Sequence, residues 1–182
     1  RYLPAHRDLG SLAEAARGCK ACPLYERATG TVFGEGPVGA RLMLVGEQPG
    51  VNEDLEGKPF IGPAGQLLDT VLAQVGLDRK ELYVTNAVKH FGWVPGEEKQ
   101  RLHSKPGRRE VLACKAWLDA EVEQVKPKMI VCLGATAAQS FPATWPARRT
   151  SPWPRAAAVP TARCSSLPIS PRPRTCGWID GC

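Results

Sequence analysis

Three short apolar stretches, each ended by a residue that turns or polarises the backbone, limit what this chain can become. They are "RLMLVG" at 41–46, "ELYVTNAV" at 81–88 and "PKMIVCLG" at 127–134, and each reads as a strand. Between them lie segments of helical period. In "GQLLDTVLAQVG", Leu67, Leu68, Val71, Leu72 and Val75 recur at helix spacing, and Gly76 is placed to end the helix. In "RREVLACKAWLDAEVEQVK", the apolar face runs through Val111, Cys114, Leu118, Val122 and Val125. Further upstream, "SLAEAARGCKACPLYERA" predicts a short helix running into a Cys-x-x-Cys turn. Strands alternating with helices predict a three-layer α/β/α domain over residues 1–140, with a central, mainly parallel sheet.

Residues 141–182 differ in kind. They hold eight prolines and six arginines, no Lys and no Glu, and show neither strand nor helix period. An irregular Pro/Arg-rich tail is expected there, with the composition of an out-of-frame translation of a GC-rich gene. This tail carries about +5 of the formal +6 charge, so the first 140 residues are nearly neutral. Overall basicity is therefore weak evidence for nucleic acid, and local clusters must carry that inference. The start "RYLPAHRDLG" lacks an initiator Met and an apolar signal core, so a fragment of a cytoplasmic protein is expected. No apolar run approaches the roughly 20 residues of a membrane span, so no membrane partner is expected.

Four groups of residues carry chemistry. Cys19 and Cys22 form "CKAC"; Cys114 follows, and 17 residues separate it from Cys132. Four such thiols can enclose a [4Fe–4S] cluster or a tetrahedral Zn²⁺, while Cys114 and Cys132 also suit ordinary burial. The segment "GEQPGVNEDLEGKPFIGPAG" at 46–65 places Gly46, Glu47 and Gln48 where a strand ends, the edge at which open α/β sheets bind ligands. Glu53 and Asp54 offer carboxylates there, and Phe60 offers a stacking face. Asn86 ends the second strand with an amide that can donate and accept together, and Lys89 and His90 follow it. Last, Lys99, Arg101, Lys105, Arg108 and Arg109 surround His103, which favours phosphate contacts. A histidine buried among cations has its charged form disfavoured, which leaves an imidazole nitrogen free as a nucleophile.

Together these segments resemble the iron–sulfur branch of the uracil-DNA glycosylase superfamily, and most closely its UdgX type, which becomes covalently attached to DNA. The resemblance rests on "CKAC", "GEQPGVNEDLEGKPFIGPAGQLLD", "LYVTNAVKHF", "KQRLH", "ACKAWLDAE" and "VCLGATAA". It implies a [4Fe–4S] cluster on Cys19, Cys22, Cys114 and Cys132. It implies catalytic roles for Glu47, Gln48 and His103, with His103 bonding to the sugar. Phe60 would stack a flipped uracil and Asn86 would read its edge, with Gly46 and Asp54 also at the substrate. Lys89, Lys99, Arg101 and Lys105 would hold the DNA. The implied partner is uracil-containing DNA, single strands included, and the implied state is a monomer. Two departures stand out: Gln100 replaces an arginine of the related Lys-Arg-Arg-Ile-His motif, and no late His-Pro-Ser segment is present. A hydrolytic iron–sulfur relative without covalent trapping, or an inactive metal-stabilised DNA-binding fragment, are the alternatives these departures leave.

Overall fold

The computed structural model describes residues 2–141, with the Lys99 side chain left out. The Pro/Arg-rich tail expected from residue 141 onward therefore lies almost wholly outside the described residues. Three strands form the central sheet in the order β2-β1-β5: β1 (Leu42–Gly46), β2 (Tyr83–Asn86) and β5 (Met129–Cys132), all parallel. The chain leaves β1 on one side to reach β2 and returns on the other to reach β5. Right-handed crossovers in opposite directions put the connecting helices on opposite faces. Helix α3 (Pro63–Gln74) accordingly packs Leu72 and Leu68 against Leu44 and Val84, while α4 (Arg108–Val125) packs Leu118, Val122 and Val125 against Met43, Val45 and Ile130. The alternation of Met43, Leu44 and Val45 between two clusters is the two-residue period of a strand buried on both sides. The expected three-layer α/β/α architecture is the one observed.

Helix α1 (Leu9–Arg17), capped by the Asp8 carboxylate on the Ser11 N–H, lies on the α4 side and buries Leu12 and Ala16. The expected apolar face of α4 is buried at all five positions. The α3 stripe is not: only Leu72 is buried, and Leu67, Val71 and Val75 are exposed. Gly76 takes a positive φ of 71° just past the end of α3, as its position in the sequence suggests.

Two further elements were not legible as such: helix α2 (Val51–Glu56) in "VNEDLE", and a two-stranded antiparallel ribbon that joins β3 (Trp93–Pro95) to β4 (Arg101–His103). Helix α5 (Ala135–Gln139) follows β5, as the helix start read in "GATAAQS" predicts. No helix among the described residues is long and apolar enough to cross a membrane.

Candidate active site

Parallel pairing brings the carboxyl ends of β1, β2 and β5 to one edge of the sheet. Gly46 lies opposite Asn86, Glu47 and Gln48 continue beyond β1, and α5 starts just beyond β5. A cleft of about 440 Å³ opens at this edge, lined by Gln48, Glu53, Phe60, Asn86 and His103 among others. A larger cleft of about 700 Å³ lies beside α3 and β2 and contains none of the residues expected to do chemistry.

The floor of the site is made by close approach. A Cβ on Gly46 would lie 2.3 Å from Asn86 Oδ1 and 2.6 Å from Phe60 Cζ. Gly46→Ala is therefore expected to displace both side chains, with a stability loss of about 1–3 kcal/mol that a thermal melt would read. Phe60 itself sits at φ 55°, a left-handed backbone that costs a side chain on the order of 1–2 kcal/mol. Hydrogen bonds hold it there from both sides. Glu53 Oε1 accepts from Ile61 N (3.1 Å) and Gly62 N (2.8 Å), and Arg79 donates to Pro59 O (2.9 Å). The second Glu53 oxygen accepts from Gly50 N at the start of α2. Glu53 thus spends its carboxylate on the loop backbone.

Asn86 is only 3% exposed, and among the described residues its side-chain amide has no hydrogen-bond partner. Buried polar groups are nearly always paired, so an unpaired amide lining a cleft awaits a ligand. Its backbone carbonyl, by contrast, accepts from Lys89 Nζ at 2.8 Å.

His103 reaches the cleft from the ribbon. Strand β4 pairs with β3 so that His103 lies across from Trp93 and Arg101 across from Pro95. Gln48 clamps the base of the ribbon: its Nε2 donates to Gly92 O (3.0 Å) and Ser104 O (3.1 Å), and its Oε1 accepts from Gly92 N (3.1 Å). Arg101 fastens the ribbon further along, donating to the fully buried Asp54 carboxylate at 2.9 Å and to Thr29 Oγ1 at 3.1 Å. Asp54 also accepts from Thr29 N. His103 is left half-exposed, with Nε2 3.6 Å from Glu47 Oε1 and its ring tilted against Phe91. The other Glu47 oxygen accepts from Thr136 Oγ1.

Several expected roles need correction. His103 is half-exposed rather than buried among cations; Lys105, past the end of the ribbon, and Arg108 and Arg109, at the start of α4, are exposed. Asp54 does not line the cleft; it is the anchor of Arg101, so both residues hold the ribbon, and the guanidinium is committed to a carboxylate before any phosphate. Lys89, expected at the surface, is buried. It is 1% exposed, with Nζ 2.6 Å from both Glu121 Oε2 and Thr85 Oγ1. Glu121, equally buried, also accepts from Tyr83 Oη and Gly34 N. Burial beside this carboxylate pushes the Tyr83 hydroxyl well above its ordinary range. His90 is buried too, and burial lowers its pKa, with Asp54 opposing. Among the expected DNA contacts, Lys105 is exposed as a phosphate ligand must be.

The cysteines divide three to one. Cys19, Cys22 and Cys114 lie close enough for their charges to interact, in the pocket between the N-terminal turn and α4. Trp117 Nε1 donates to Cys19 Sγ and Lys89 N to Cys114 Sγ, both at 3.2 Å, bonds that a thiolate strengthens. Burial, with the neighbouring cysteines adding to it, pushes the Cys114 thiol up to about 12, and burial raises that of Cys22. Cys132 is not brought to this group: it packs against the sheet-face cluster of Val45 and Ile130, and only burial shifts its pKa. Among the described residues no three His, Cys, Asp or Glu side chains are set to hold a single metal ion. Three of the four expected thiols thus lie together.

Thr136, Trp93 and Glu121 escaped the sequence reading. Only Thr136 left a signal, since it follows the third strand as Glu47 follows the first. The stretch where a late His-Pro-Ser segment would lie is outside the described residues and holds no histidine.

Comparison with known proteins fits this geometry. The family model for the uracil DNA glycosylase superfamily matches residues 33–177. The type-4 uracil-DNA glycosylase of Pyrobaculum aerophilum is 37% identical over 134 residues, covering 74% of this chain and 64% of that protein. That of Thermotoga maritima is 38% identical over 130 residues, 71% of this chain and 64% of that protein. For Sulfurisphaera tokodaii the figures are 39% over 128 residues, 70% and 54%. The chain thus spans less than two thirds of these relatives' length. With the family match covering most of its residues, and with the strand-end site assembled as above, the chain belongs to the uracil DNA glycosylase superfamily.

Proposed function

We propose that this protein excises uracil from DNA, single strands included, and is then joined to the abasic sugar through His103, acting as a monomer. The observation that carries this is the buried, unpartnered amide of Asn86, in a cleft that Phe60 and His103 also line. Extruding the nucleotide costs a few kcal/mol and exposes the base to this cleft. The Phe60 ring stacks it. The Asn86 amide donates to uracil O4 and accepts from N3–H; cytosine offers a donor and an acceptor in the reverse order, so it is rejected. When the N-glycosidic bond breaks, its electron pair leaves with uracil as an anion and C1′ becomes a cation. The Glu47 carboxylate stabilises that developing charge, with Thr136 fixing its orientation. A lone pair of the His103 imidazole bonds to C1′, and Glu47 accepts the ring proton, leaving a neutral substituted imidazole. Gln48 positions His103 by holding the ribbon backbone; it does not touch the reacting atoms.

Incubation with a uracil-containing oligonucleotide, followed by a denaturing gel, tests the proposal. A slow-migrating protein–DNA band is expected. Free abasic DNA with turnover would favour the hydrolytic alternative, in which Glu47 orients water. No change in the DNA would favour a binding fragment.

Cys19, Cys22 and Cys114 would hold a [4Fe–4S] cluster, which when bound ties the N-terminal turn to α4. Replacing any of the three by Ser is expected to remove the visible iron–sulfur absorbance and most of the bound iron, whereas Cys132→Ser is expected to keep both. Loss of colour in Cys132→Ser would return that residue to the ligand set.

A further inference from the structure

The β3–β4 ribbon divides two clefts. His103 lines the first, while Ser104 and Lys105, next along the chain, line a second of about 330 Å³. This second cleft lies between the ribbon, the turn after Cys22 and the start of α4. Gly92 and Ser104, the two residues clamped by Gln48, border it, so the backbone that positions His103 also walls off its neighbour.

Trp93 borders the second cleft as a pre-set aromatic surface. Its Nε1–H donates to Arg27 O at 2.9 Å, fixing the indole edge. The Arg101 guanidinium sits over the ring, 5.2 Å from its centre, and does not line the cleft. Arg101 is itself fixed by the buried Asp54. An indole held in this way loses little freedom when a flat ring lies against it. Leu24, Phe91 and Pro106 extend the apolar wall. Two cations, Arg27 and Lys105, and two carboxylates, Glu26 and Glu110, complete the lining. The carboxylates disfavour a phosphate inside the cleft and can accept from exocyclic amines. A neutral aromatic ring within, with its phosphate outside toward the exposed cations, satisfies all of these groups.

We propose that the second cleft binds the nucleobase adjacent to the extruded nucleotide on the same DNA strand, stacked against Trp93. The identity of that strand rests on the function proposed above. Successive bases placed on either side of the His103 ribbon would hold C1′ of the extruded nucleotide in register with the imidazole.

The test measures binding of labelled single strands carrying a central uracil nucleotide whose 2′-fluorine blocks cleavage of the glycosidic bond, by fluorescence anisotropy. Companion strands carry a base-less spacer at the 5′ or the 3′ neighbour. For the unaltered protein, a spacer on one side is expected to weaken binding about tenfold, within the range of base–aromatic stacking. In Trp93→Ala the same spacer is expected to cost nothing further, and Trp93→Phe is expected to keep most of the penalty. Should Trp93→Ala melt early, Trp93→Leu keeps the apolar volume without the ring and is expected to lose the penalty too. The proposal is overturned if neither spacer matters to the unaltered protein, or if the penalty survives in the non-aromatic variants. Strands with cytosine in place of uracil separate the two proposals. Equal binding of cytosine and uracil strands would count against base reading by Asn86, while the spacer penalty would still report on Trp93.

Discussion

His103→Ser is expected to abolish the covalent protein–DNA band, lowering its rate of formation by a factor of at least about 100. A serine hydroxyl is shorter and far less nucleophilic, and Glu47 cannot activate it from the position it holds beside the imidazole. The fold should tolerate the change. His103 is half-exposed, and among the described residues it contacts mainly Glu47 and the Phe91 ring, so the stability change should stay within about 0.5 kcal/mol. Single-turnover gel kinetics beside a thermal melt read both quantities. An undiminished band from a folded His103→Ser protein would assign the linkage to another side chain.

Lys89→Met is expected to act in the opposite sense, on the fold rather than on the chemistry. It leaves the fully buried Glu121 carboxylate without its cation, at a cost of about 3–5 kcal/mol. For a chain of this size that is a fall in Tm of roughly 10 °C or more. Lys89→Met with Glu121→Gln is expected to recover part of the loss, since the neutral amide still accepts from Tyr83 and Gly34. Were Lys89 a phosphate ligand, the single variant would melt normally and would show weaker, less salt-dependent DNA binding.

The contrast between these two residues shows what a linear sequence reveals. The strands, α4 and the strand-end positions of Glu47 and Asn86 were legible because each is set by local period or by a chain break. Lys89 was misread because its partner lies 32 residues away, on the far side of a helical crossover. Asp54 and Arg101, 47 residues apart, form an anchor for the same reason. The ribbon was hidden by its brevity: three residues a side, with polar and apolar side chains mixed, give no clear two-residue period. The α3 stripe shows the converse error. Its spacing was right for a helix, but Leu67, Val71 and Val75 face away from the sheet that covers Leu72.

Tandem mass spectrometry after reaction with a uracil-containing strand, and nuclease trimming of the product, bears most directly on the proposed chemistry. The peptide that contains His103 is expected to carry the mass of a deoxyribose phosphate remnant, with the fragment ions placing it on the imidazole. An unmodified peptide, recovered while free uracil and free abasic DNA accumulate, would show that water and not His103 captures the sugar.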